Sequence, residues 1–483
     1  MRARNRTLAA AVLFALTAQP SMAGQAPGPA SASDIPVSSR DRVYLSDQTS
    51  NTVSVVNPAT NQLLGVIRLG QADAGTLSPL YTGQLLVHGM GFSSDHRTLD
   101  VISVGSNSVT FIDTLTNRVK HVTYVGRSPH EAFFTPDDKE VWVSVRGEDY
   151  VAVIDAATYR EVRRIAVPYG PGMVIFSHDG RYGYLCSSFT PETVVIGRAS
   201  HTIIGHVKQV SPFCPDIAAT PDGTQVWETL KDTGRVEVFN AKPPFNVLSV
   251  LDTGPITNHV NFARNANGQF AYVTIGGLNE VKVFTTGEQP KLVATISTGE
   301  LPHGIWPSGD GTRMYVGLEN ADGVAAIDTL TNHVIATVHS GQSPQGIAYV
   351  PNAVPTGDGG SNLEPLGSAG AAAHLVLVDA SAGMQRTTVT VNNQGLTDLL
   401  EAAVTGLVPG GFYVLELAER ADGSGTRTRL ATFKANPSGA AIVTSITQLR
   451  AMVSPDADVR AKRYLVIAED TNGSDGRVVQ IQK

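Results

Sequence analysis

Between residues 43 and 350 the chain is built from short apolar runs broken by polar turns. Residues 141–145, Val-Trp-Val-Ser-Val, alternate and are β-branched, so they predict a strand. In the same stretch, residues 132–134, 150–154 and 161–167 predict three more. Clusters of Asp, Gly, Pro and Asn between them predict tight turns. This four-strand pattern recurs. Asp137, Asp179 and Asp222 end Ser/Thr-x-Asp turns 42 and 43 residues apart, and Ser308-Gly309-Asp310-Gly311 repeats the motif. A β-rich unit of this length is the signature of a propeller blade.

Seven innermost strands are expected to begin near His88, His130, Gly172, Pro215, His259, His303 and Gln345, numbered here as blades 1 to 7. Seven second strands are expected near Val43, Asp100, Val141, Gly183, Val226, Ala271 and Met314. The chain therefore opens on a second strand and closes on an innermost one. One blade is shared between the two ends, which ties the ring shut and leaves few free sheet edges. The insertion at 71–85 lengthens the first unit.

The segments Val-Tyr-Leu-Ser at 43–46, Val-Trp-Val-Ser at 141–144, Ala-Tyr-Val-Thr at 271–274 and Met-Tyr-Val-Gly at 314–317 resemble the YVTN-type propellers, surface-layer or lactonase-like. The copies of Ile-Asp-Thr-Leu-Thr-Asn at 112–117 and 327–332 add to the resemblance. It implies a seven-bladed fold and leaves activity open, because the family spans binding proteins and enzymes.

Residues 355–373 are rich in Gly, Pro, Ser and Ala and read as a linker. Beyond it, strands are expected at 374–379, 387–391, 412–417, 429–433, 441–445 and 464–468. A short helix is expected at 396–403, with turns at Asp422-Gly423 and at 470–473. The expected fold class is all-β: a seven-bladed β-propeller over 42–354, then a small Ig-like β-sandwich over 374–483.

Composition adds compartment and partners. Arg2, Arg4 and Arg6 precede an apolar stretch too short to span a bilayer, and Ser21-Met22-Ala23 offers small residues for cleavage. This predicts a signal peptide over 1–23 and a short linker over 24–41. No Cys follows the cleavage site to take a lipid, so the expected location is periplasmic or secreted. The formal charge of −7 argues against nucleic acid as a partner. A small molecule or an envelope protein at the upper face of the propeller is expected instead. Cys186 and Cys214 fall in consecutive units and are candidates for a disulfide, which an oxidising compartment allows.

Chemistry centres on histidine. His88, His130 and His303 each lie seven residues before a turn Asp (Asp95, Asp137 and Asp310), and His259 and Gln345 are placed in the same register in blades 5 and 7. This position enters the innermost strand, where a propeller's connections rim its channel. Four imidazoles from four blades would converge there as a metal site for Cu, Fe or Zn. The placement is similar to the axial four-His iron of carotenoid-cleavage oxygenases. Alternatively, His fills a structural slot and hydrogen-bonds a backbone carbonyl, since Pro302-His303-Gly304 and Pro344-Gln345-Gly346 fill it differently. Glu131, Asn258 and Asn261 are candidates to orient an imidazole. Met173, Cys214 and Asp216 flank the slot in blades 3 and 4. Arg146, Lys231 and Glu319, with Asp47, Glu148 and Asp232, sit on loops expected to open on the same face. Arg146 and Lys231 are candidates to bind an anionic substrate.

No nucleophile elbow, phosphate loop, haem attachment motif or His-Glu-x-x-His motif occurs. Three functions stay open: an envelope binding or scaffold protein, a Cu- or Fe-dependent oxidoreductase, and a lactonase-like hydrolase. The last is disfavoured because the rim reads as imidazole-rich, without acidic ligands.

Overall fold

The computed structural model describes residues 35–70, 85–367, 371–394, 397–471 and 476–483. The expected signal peptide and nearly all of the 71–85 insertion lie outside the described residues. Seven four-stranded antiparallel sheets form the propeller. The innermost strands of blades 1, 2, 3, 5 and 6 are Val87–Phe92, Pro129–Phe134, Pro171–Phe176, Thr257–Asn265 and Pro302–Pro307. In blade 4 the strand shortens to Ile217–Ala219. Blade 7 is shared: Pro344–Val350 pairs with Arg42–Asp47, matching Leu45 with Ile347. Tyr349 Oη donates to Asp41 Oδ2 at 2.6 Å, so both ends of the ring are fastened at the seam.

Burial falls from the axis outward. Pro129–Phe134 is buried throughout, whereas the outermost strand of its blade, Arg160–Ala166, keeps one buried residue. Pairs of blades bury their faces against each other, with Trp142 and Trp227 fully enclosed. The repeated turns have one mechanism. The Ser or Thr hydroxyl donates to the Asp two residues later: Thr135 to Asp137 at 2.8 Å, Ser177 to Asp179 at 2.7 Å, Ser308 to Asp310 at 2.7 Å. In the Ile-Asp-Thr-Leu-Thr-Asn copies, Asp113 accepts from the Thr116 amide at 2.8 Å, and Asn117 takes the left-handed conformation.

The C-terminal part is all β, but its eight strands form one sheet rather than two packed sheets. The order is Arg427–Lys434, Phe412–Ala418, Tyr464–Glu469, Val478–Gln482, Ala372–Asp379, Gln385–Asn393, Asp398–Val404, Ala441–Thr447. The first and last of these lie near one another, so the sheet curls into a nearly closed barrel around Leu377, Val389, Leu400, Leu415 and Ile467. The helix expected at 396–403 is a strand, Asp398–Val404. Its good helix formers are overridden by pairing on both sides, with Leu400, Ala402 and Val404 turned inward at a period of two. Segment 355–367 is not a free spacer. Glu364 exchanges backbone hydrogen bonds with Val66, and the Arg42 side chain donates to the Asp358 carbonyl.

The barrel sits on the mouth of the propeller. His374 Nε2 lies 3.2 Å from Asp322, Asn320 Nδ2 donates to Thr388 Oγ1 at 2.9 Å, and the Ser438 amide donates to the Asp232 carbonyl at 3.2 Å. Ile256 and Leu301 of the propeller bury against Ala403 and Ala440 of the barrel.

Candidate functional site: a two-tier ring on the channel axis

Strand pairing fixes the register of the inner strands. Val87 opposes Ser103, Pro129 opposes Val145, Thr257 opposes Ile275 and Pro302 opposes Leu318. A bulge of two residues follows in each case. The first bulge residue is His88, His130, Gly172, Asn258 or His303, and the second is Gly89, Glu131, Met173, His259 or Gly304. In blade 4 Pro215 and Asp216 stand at the two positions by the same count back from Asp222, just before the strand. In blade 7 Gln345 alone is passed over, between Pro344 opposite Asp47 and Gly346 opposite Ser46. His259 is thus one residue deeper than expected. In blade 5 the turn Asp is replaced by Asn265, whose Oδ1 accepts from the Asn267 amide at 2.8 Å, as Asp95 accepts from the Arg97 amide at 2.9 Å. Counting seven back from Asn265 gives Asn258.

The two positions form two tiers. His88, His130, His303 and Gln345 face a cavity of about 330 Å³ at the mouth. Glu131, Met173, Asp216 and His259 line a narrow space of about 20 Å³ beneath it. The imidazoles still form one connected cluster: ring centres are 4.4 Å apart for His88 and His130, 6.2 Å for His88 and His303, and 4.7 Å for His259 and His303.

The donors gathered within 4.8 Å of one another are His88, His130 and Glu131. Glu131, a candidate to orient an imidazole, has its Oε1 3.5 Å from His88 Nδ1 and 4.0 Å from His130 Nδ1, within the cluster itself. His130 Nδ1 is engaged with the Gly172 carbonyl at 3.0 Å, which fixes the ring and leaves Nε2 for the cavity. His88 Nδ1 is buried without a hydrogen-bond partner. Two imidazoles and a carboxylate suit Zn, Fe or Cu. The four-His set does not gather in this way, because His259 lies in the lower tier and His303 faces Glu319, 3.1 Å from its Nδ1.

Electrostatics follow burial. Desolvation holds all four imidazoles well below their usual range, helped at His88 and His130 by neighbouring imidazoles and the Arg146 charge. They are therefore neutral, the form that binds metals. Burial raises Glu131 well above the carboxylate range, with the Asp216 and Asp100 charges adding to it. Burial also lifts Asp216 to about 7; its Oδ2 accepts from the Val260 amide at 2.7 Å, and its Oδ1 is 3.8 Å from His259 Nδ1.

The remaining candidates divide. Arg146, Lys231, Asp232 and Glu319 line the mouth cavity with the upper histidines. Asn258 and Asn261 do not orient His259; their Nδ2 groups donate to the Pro302 and Ile305 carbonyls and bind blade 5 to blade 6. Asp47 accepts from Thr52 and Ser54, and Glu148 pairs with Arg127. Cys186 and Cys214 form a disulfide, so Cys214 offers no thiol ligand. Met173 lies in the lower tier. Sequence reasoning missed the barrel's part. Glu401, Asn436, Ala441 and Ile442 roof the cavity, and Glu401 shares a hydrogen bond with Glu319. No motif marks them, since they sit on ordinary strands and a turn.

No described protein family matches the chain. Protein NirF of Stutzerimonas stutzeri is 24% identical over 173 residues, 33% of this chain and 44% of NirF, so the chain spans less than half the length of that curated relative. Among solved structures, hydrazine synthase of Kuenenia stuttgartiensis superposes with a TM-score of 0.51 at 20% identity, over 59% of this chain and 92% of that one. A protein of unknown function from Desulfotomaculum acetoxidans gives 0.54 at 14% identity, over 64% and 98%. The periplasmic gluconolactonase PpgL of Pseudomonas aeruginosa gives 0.50 at 19%, over 64% and 99%. These likenesses establish the propeller fold. Among the described residues no helix is long and apolar enough to cross a membrane.

Proposed function

We propose that this chain is an exported, YVTN-type propeller that binds a small molecule at its capped mouth, over a transition metal held by His88, His130 and Glu131. The observation that carries this reading is the buried trio of donors within 4.8 Å of one another, open on one side to a cavity of about 330 Å³. That volume lies in the range of small-molecule sites. The barrel's seat on the upper face favours a small molecule over an envelope protein as the occupant. The signal-like N-terminus and the disulfide support export.

An enzymatic reading is favoured by the same open side, which leaves room for substrate beside a Cu or Fe ion in an oxidoreductase. The hydrolase reading gains too: Glu131 and Asp216 supply the axial carboxylates whose lack counted against it.

The test is metal titration of protein stripped with chelator and purified without a His tag. One Zn²⁺ or Cu²⁺ per chain is expected, with His130→Ala and Glu131→Gln each weakening it by about tenfold or more. Unchanged affinity in both variants would remove the ligand assignment.

A further inference from the structure

The mouth cavity is lined by two cations, Arg146 and Lys231, and among the described residues neither side chain has a hydrogen bond or an ion pair. Elsewhere in the chain, enclosed cations are engaged: Arg42 donates to the Ser39, Asp41 and Asp358 carbonyls, and Lys282 donates to the Thr253 carbonyl. An enclosed guanidinium and ammonium left without partners are costly, and an anion arriving between them relieves that cost.

The same cavity also holds carboxyls: Asp232, Glu319 and Glu401 line it, near enough to Lys231 for their charges to act on it. Glu319 and Glu401 share a hydrogen bond, Gln345 Nε2 donates to Glu319 Oε1 at 2.5 Å, and Gln48 Nε2 donates to Gln345 Oε1 at 3.0 Å. Burial raises both carboxyls, so the pair retains a proton and can donate as well as accept. The carboxyl of Asp232 is raised by burial as well. These carboxyls lie near Lys231, yet among the described residues none forms an ion pair with it, and Arg146 has none either. The side chains of Val104, Phe213, Ile256 and Ile442 also line the cavity. The apolar walls and the size of the cavity fit an organic molecule better than an inorganic oxyanion.

We infer that the cavity takes a small organic carboxylate bearing a hydroxyl or carbonyl group. The carboxylate lies between Arg146 and Lys231, and the second polar group meets the Glu319–Glu401 pair. The inference rests on the reading of the capped mouth as a ligand site and does not require the metal. It makes Glu401 of the barrel a specificity-determining residue, so the cap is part of the site.

Calorimetric titration at fixed ionic strength tests it, with lactate, mandelate and 4-hydroxybenzoate as probes. The corresponding amides, phenylacetate and inorganic phosphate serve as controls. At least one carboxylate should bind about tenfold or more tightly than its amide. Arg146→Gln and Lys231→Met should each weaken it by about tenfold or more while keeping the wild-type melting temperature. Glu401→Gln should narrow the preference for mandelate over phenylacetate. Binding of phosphate alone, of amides as well as acids, or of no probe at all would overturn the inference, as would full affinity in both cation variants. The same titrations on His130→Ala separate the two readings. Carboxylate binding that survives in His130→Ala while metal uptake is lost leaves both standing, whereas wild-type protein that binds carboxylate but takes up no metal sinks the metal site alone. Loss of carboxylate affinity in Arg146→Gln with metal uptake intact leaves both standing.

Discussion

At the scale of single residues, the site depends on what blade 1 omits. A Cβ on Gly89 would sit 1.8 Å from Glu131 Oε2, so the carboxylate of blade 2 occupies the space a side chain of blade 1 would fill. Gly89→Ala is expected to push Glu131 off the His88–His130 pair. It should lower stability by about 1–3 kcal/mol, read from chemical denaturation, and weaken metal uptake. Wild-type values for both would show that Glu131 is not held there. The sequence made His88, His130 and His303 legible because each is tied to a turn Asp at fixed spacing. It misled at His259, where Asn265 stands in for that Asp and the count slips by one tier. Glu131 was visible as a neighbour of His130, but only the bulge shows that consecutive residues 130 and 131 both point into the axis.

At the scale of elements, the blades were legible because their strands alternate and their turns carry a hydroxyl two residues before an Asp. Both features act locally, so they survive in sequence. Pairing between distant strands does not. The C-terminal strands were found from alternation, yet alternation cannot tell one curled sheet from two stacked ones. Strand Asp398–Val404 was misread as a helix for the same reason: Leu, Glu and Ala favour a helix in isolation, and the two strands that claim this segment are remote from it in the chain or hidden behind a turn. The last strand, Val478–Gln482, was not anticipated; its period is short and half polar.

At the scale of the molecule, the finding without a sequence signal is that the barrel roofs the channel mouth. One contact of that interface titrates. The Asp322 carboxylate, 3.2 Å from His374 Nε2, holds its imidazole above the usual range, and Glu300 adds to this; desolvation opposes it. A group whose charge is favoured by docking contributes fully below its free pKa of about 6.5 and ceases to contribute as pH rises through the raised value. The barrel should therefore be docked more firmly in mildly acidic solution than in alkaline solution. Limited proteolysis of the 355–373 segment against pH is expected to show faster cleavage above neutrality, and His374→Ala should flatten that profile. Equal pH dependence in the variant would assign the effect elsewhere.

The proposed function puts a metal ion on the axis under the barrel. An anomalous difference map from crystals of the untagged protein, collected at the absorption edge of Zn, Cu or Fe, locates it directly. A single peak is expected within bonding distance of His88, His130 and Glu131, on the cavity side of His130. A metal-soaked crystal with no peak there, or with its peak on the His259 side of the lower tier, would contradict it.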